Sequence, residues 1–98
     1  MELDPSTKHD FHRIYNHHEE YSGDEKAEEI EDQIYADVGN CDSLPTATHK
    51  GLIFKRVQNG YRFFYGNVGA CNIIYAIYHA KEDWQNLILD RYETFSDA

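Results

Sequence analysis

Apolar residues recur every three or four positions along the first forty residues and then switch to runs and alternation, so the chain changes period part-way. Phe11, Ile14, Tyr15, His18 and Tyr21 share one stripe, as one face of an α-helix requires. Asp4-Pro5 precedes that stripe: the aspartate can cap the helix, and proline suits a first turn whose N–H groups lack helical partners. Ser22-Gly23 breaks the stripe and Asp24 is placed to cap the next segment. Ala27, Ile30, Ile34, Val38 and Cys41 form a second stripe, weakened at Gly39-Asn40 and ended by Leu44-Pro45. Together these predict two antiparallel helices joined by a short turn.

From Leu52 the pattern is that of extended chain. Leu52 to Val57 predicts a strand, with Ile53, Lys55 and Val57 on one side and Leu52, Phe54 and Arg56 on the other. Asn59-Gly60 is a strong hairpin signal because both positions tolerate positive φ, and Tyr61 to Tyr65 is the return strand. Gly66-Asn67-Val68-Gly69 predicts a second turn, and Gly66 and Gly69 serve it rather than a phosphate cradle, since no helix with a Lys-Ser/Thr pair follows. Cys71 to Tyr78 is rich in β-branched and aromatic residues and predicts a central strand. Ala80 to Tyr92 reads as a helix with Trp84, Leu87, Ile88 and Arg91 on one side, followed by a frayed tail from Glu93 to Ala98. The expected fold class is α+β: an N-terminal antiparallel helical hairpin packed on a three- to four-stranded antiparallel sheet, then a C-terminal helix. Residues 1–98 make a single domain, and the sheet face away from the hairpin is expected to stand open.

Charge sharpens this picture. The net charge is −9, and residues 1–50 supply it all, with 4 basic against 13 acidic side chains; residues 51–98 balance at 5 against 5. No Asp or Glu occurs from Lys50 to Lys81, a stretch carrying Lys50, Lys55, Arg56, Arg62 and Lys81 with His79 inside it and His49 just before it. Two faces with different tasks are expected, the cationic aromatic one meeting a polyanion or an acidic partner. The acidic run from Glu19 to Asp37 reads first as a solvated helix face. Cys41 and Cys71 lack metal-type spacing and are expected as free thiols in a reducing cytoplasm. Residues 1–20 are polar and charged, unlike a secretory leader, and no apolar run suffices for a membrane span. His9, His12, His17 and His18 invite a metal reading, but without a defined third ligand the expectation is no metal and no cofactor.

The ordered set of features resembles the RelE/ParE superfamily of small bacterial toxins. It comprises Leu3-Asp4-Pro5 with Asp10-Phe11 and Ile14-Tyr15; Tyr21-Ser22-Gly23 and Ala27; Leu44-Pro45; Gly51-Leu52 through Gly60-Tyr61-Arg62-Phe63-Phe64-Tyr65; and Ile73 to Lys81. The long hairpin leans towards the ParE-like, plasmid-stabilisation branch. The resemblance implies a short first strand at Met1–Leu3. It also implies the toxin of a type II toxin–antitoxin system, acting in the cytoplasm, inhibiting DNA gyrase by binding and neutralised by a cognate antitoxin. The alternative it implies is a RelE-like, metal-independent endoribonuclease acting on mRNA at the ribosome; an inactive acidic interaction module and a homodimer also stay open.

The candidate partner-binding residues are Lys55, Arg56, Arg62, His79, Lys81 and Trp84. For a nuclease, Lys55, Arg56 and Arg62 would neutralise the scissile phosphate and His79 would move a proton, since imidazole changes charge near neutrality. The plainer alternatives are solvated strand cations paired with carboxylates, a histidine hydrogen-bonded beneath the last helix, and Tyr78 and Trp84 as packing.

Overall fold

The computed structural model describes residues 1–96. Its elements are β1 (Glu2–Leu3), α1 (Thr7–Ser22), α2 (Asp24–Asn40), β2 (Thr46–His49), β3 (Leu52–Arg56), β4 (Tyr61–Val68), β5 (Cys71–His79) and α3 (Trp84–Ser96). The strands form one sheet in the order β1-β5-β4-β3-β2. β1 runs parallel to β5 and every other pair is antiparallel. The class is α+β as expected, but the sheet is mixed and five-stranded rather than antiparallel and three- to four-stranded.

The helical hairpin forms where the pattern placed it. The Asp4 carboxylate accepts from the Ser6 N–H and hydroxyl, and its carbonyl accepts from the Thr7 N–H at 2.9 Å, which turns the chain into α1. Gly23, at φ +86°, carries the junction to α2. Phe11 and Tyr35 stack between the two helices at 4.5 Å. Phe11, Ile14, Ile34, Val38 and Cys41 then bury against Tyr61, Phe63, Tyr65, Ile74 and Ile77 on one sheet face. Burial of apolar area of this kind is the main driving force for the layer.

The opposite face is covered, contrary to the expectation that it stands open. Trp84, Ile88, Leu89 and Phe95 of α3 pack on Phe54, Phe64, Tyr75, Ala76 and Tyr78. The reason lies in the strands themselves: alternate positions on both sides are large and apolar, so neither face tolerates water. Phe95 stacks on Tyr75 at 4.5 Å, so α3 runs on to Ser96 where fraying from Glu93 was expected; Asp97 and Ala98 lie outside the described residues.

Boundaries differ from the sequence reading, α3 among them, which begins at Trp84 rather than Ala80. β2 pairs with β3 through Lys50-Gly51, both at positive φ (51° and 83°), the backbone a tight two-residue hairpin turn demands. The Gly66 to Gly69 turn is displaced: β4 continues through Val68, which pairs with Cys71, and the chain reverses at Gly69-Ala70. Asn59-Gly60 turns as expected, with φ of 63° and 83°. Among the described residues no helix is long and apolar enough to cross a membrane.

Candidate functional site

The cationic residues of the central strands do not share a surface. Strand pairing sets Arg56 opposite Arg62 and Arg62 opposite Tyr78, on the α3 side, whereas Tyr61 opposes His79 on the hairpin side with Lys55. Lys55 is only 7% exposed, although a free binding or phosphate-neutralising cation was expected. Its Nζ donates to the carbonyls of Leu44 at 2.6 Å and Asp42 at 3.4 Å, over the Tyr65 ring. The ammonium thus ties the chain leaving α2 to the sheet, and those carbonyls meet its hydrogen-bonding needs in place of water. Trp84, expected on an exposed surface, is also buried. It is enclosed by His49, Phe54 and Phe64.

Arg62 sits over that indole, its guanidinium carbon 4.8 Å from the ring centre and 5.9 Å from that of Phe54. Nη1 donates to the Gly60 carbonyl, while buried Nε finds no hydrogen-bond partner among the described residues. Burial first, and then the charge of Arg56, lower its pKa. Arg56 itself is exposed. One sheet face therefore sets an arginine held over an indole beside one that makes no side-chain hydrogen bond or ion pair among the described residues.

The hairpin side carries a cavity of about 360 Å³, lined by Arg13, Ile14, His17, His18, Tyr61, His79, Lys81 and Glu82. α1 supplies one wall; the start of β4, the end of β5 and the turn after it supply the other. Nε2 of His18 and the Tyr61 hydroxyl are 2.9 Å apart. Burial, then the positive charge of His17, His79 and Lys26, lower the His18 pKa. Burial and then Glu82 raise that of Tyr61, against Arg13. His79 stands edge-on to Tyr61 at 5.0 Å, and its Nδ1 accepts from the Lys81 N–H at 3.1 Å. Gly60 is required twice here: it holds φ +83°, and a Cβ on it would lie 3.0 Å from Nε2 of His79.

Behind this cavity a charged network seals the strand edge. β1 pairs only with Ile73 and Ile74, so β5 has no neighbouring strand beyond them on that side. Two guanidiniums take its place. Arg13 Nη2 donates to the Ile77 carbonyl at 2.6 Å and Arg91 Nη2 to the Tyr75 carbonyl at 2.5 Å. Fully buried Asp10 accepts from Arg13 Nη1 at 2.8 Å and from Arg91 Nη1 and Nη2 at 2.9 and 2.8 Å. Glu82 accepts from Arg13 Nε at 2.9 Å and from the His79 N–H at 3.0 Å. The Asp10 hydrogen bonds raise the Arg91 pKa; for Arg13, burial pulls down but Asp10 and Glu82 prevail and raise it. Tyr75 beside them is pushed up to about 12, chiefly by burial.

Of the residues singled out in the sequence, the cavity unites His79 with Lys81 and with His17 and His18, while Arg56, Arg62 and Trp84 lie on the other face. Arg13, Tyr61 and Glu82 were not foreseen. Their signal is the spacing Arg13/His17 and Ile14/His18, four apart on α1, facing a cross-strand Tyr61–His79 pair. His9 and His12 are exposed, and among the described residues no three His, Cys, Asp or Glu side chains converge to hold a metal ion. The chain matches no protein-family model, no curated protein and no solved structure.

Proposed function

We propose that this chain is the toxin of a type II toxin–antitoxin pair, ParE-like, which inhibits DNA gyrase by binding it in the cytoplasm and is neutralised by a cognate antitoxin. The observation that carries the reading is the parallel pairing of a two-residue first strand with the last strand, with an intervening long helical hairpin laid on the sheet. That arrangement agrees with the resemblance drawn from Leu3-Asp4-Pro5 and from the Gly60 to Tyr65 and Ile73 to Lys81 segments. Action by association is favoured over RNA cleavage because Lys55 and His79 lie on one face and Arg56 and Arg62 on the other. A site for one scissile phosphate needs its cations convergent. Exposed Arg56, beside Arg62 held over buried Trp84, is suited to an interface, where arginine is a favoured anchor.

A supercoiling assay with purified gyrase tests this. The expected result is inhibition by the wild-type chain, lost in Arg56→Glu and relieved by the antitoxin. Undiminished supercoiling together with message cut in a ribosome-programmed translation reaction would overturn it in favour of the nuclease.

A further inference from the structure

The cavity beside His79 has a one-sided inventory. Glu82 is the single carboxylate in its wall, and its oxygens are held by Arg13 and the His79 N–H. Arg13 and Arg91 are matched by Asp10 and Glu82, so that network adds no net charge. What remains is cationic or donating. Lys81 is exposed, and its ammonium makes no hydrogen bond or ion pair among the described residues. Because Nδ1 of His79 accepts from the Lys81 N–H, the neutral ring carries its proton on Nε2. The His17 ring lines the same space. In a molecule of net charge −9, this is a local reversal of sign.

The volume of about 360 Å³ lies at the small end of the range for small-molecule sites, roughly 300–1,000 Å³, enough for one compact ligand and too little for a length of polymer. Next to lining residue His17 on α1, the Tyr21 ring sits 5.0 Å from the His17 ring and is 72% exposed. A flat exposed ring beside a cationic hollow suits a base joined to a phosphate. We propose that this cavity binds a nucleoside monophosphate, its phosphate held by Lys81, His17 and His79 and its base extending past His17 to stack on Tyr21. The inference stands apart from the toxin reading, because it uses the hairpin side of the sheet and not the Arg56–Arg62 face.

The test is titration of the full chain with adenosine 5′-monophosphate, adenosine and inorganic phosphate, followed through the imidazole C–H signals in NMR. The nucleotide should shift His17, His18 and His79 saturably and leave His9 and His12 in place. Lys81→Glu should weaken it about tenfold or more, the loss expected with a charge-assisted contact. Tyr21→Ala should weaken the nucleotide but not inorganic phosphate. Both side chains are exposed, so these variants should fold, as far-UV circular dichroism would verify. The proposal is overturned if the nucleotide fails to saturate, if adenosine binds as tightly, if Lys81→Glu binds unchanged, or if the shifts fall on His9 and His12.

Discussion

Asp10 is the residue on which the most depends. It is fully buried and holds two guanidiniums that each also serve a strand carbonyl. Asp10→Asn keeps the shape but removes the charge that offsets them. Breaking a buried pair from one side costs about 3–5 kcal/mol. Because side chains of Arg13 and Arg91 are 38% and 26% exposed and partly reach water, a cost below that range, about 2–3 kcal/mol, is expected. The thermal midpoint should drop by roughly 10–20 °C for a chain this short. An unchanged midpoint in calorimetry would show that the network contributes little. His18 supplies a pH test. Its folded-state pKa is lowered, so below the ordinary imidazole value of about 6.5 the unfolded chain takes up a proton that the folded chain resists. Stability should therefore be full above that value and decline as the pH falls through it. Thermal midpoints between about pH 7.5 and 5.5 should fall less in His18→Gln than in wild type. An identical pH slope in the two would remove His18 from the account. Asp10 was legible as a position near the first helix stripe but not as a buried ion: nothing local to residue 10 announces a partner at position 91.

At the scale of elements, the long periodic segments were readable and the short ones were not. α1 and α2 announced themselves because their apolar stripes are regular and Gly23 breaks them. β2 escaped because Thr46-Ala47-Thr48-His49 offers no large apolar residue; it exists through its pairing with β3 across Lys50-Gly51. β1 is two residues long and could be expected only through the resemblance. The alternation in β3 was correctly sided, yet that both sides are covered was not decidable before the packing of α3 was known. Lys55 is the sharpest consequence. Lys55→Met keeps the apolar stem but leaves the Leu44 and Asp42 carbonyls without their charged donor, and should cost about 1–3 kcal/mol in urea unfolding. Arg56→Glu, on the opposite face of the same strand from that clasp, should stay within about 0.5 kcal/mol. Equal stability of the two variants would refute a structural role for Lys55.

For the whole molecule, the division of charge coincides with the division into layers. The hairpin carries Glu25, Glu28, Glu29, Glu31 and Asp32 in one run with a single Lys26 pair at 3.5 Å, and like charges three and four apart repel. Raising salt from about 20 mM to about 500 mM shortens the screening length severalfold and should raise the thermal midpoint. A fall instead would mean that the attractive Asp10–Arg13–Arg91–Glu82 network outweighs the repulsion. The same layering explains why the site was only half visible in the sequence: residues 13, 17 and 18 and residues 61 and 79 come from opposite layers.

The arginine-stoppered carbonyls of Tyr75 and Ile77 also decide how this molecule could be lengthened sideways. A foreign extended peptide seeking a backbone ladder is turned away at that flank, where β1 offers a mere two residues. The terminal strand Thr46–His49, at the far end of the sheet order, is the remaining berth for one more strand.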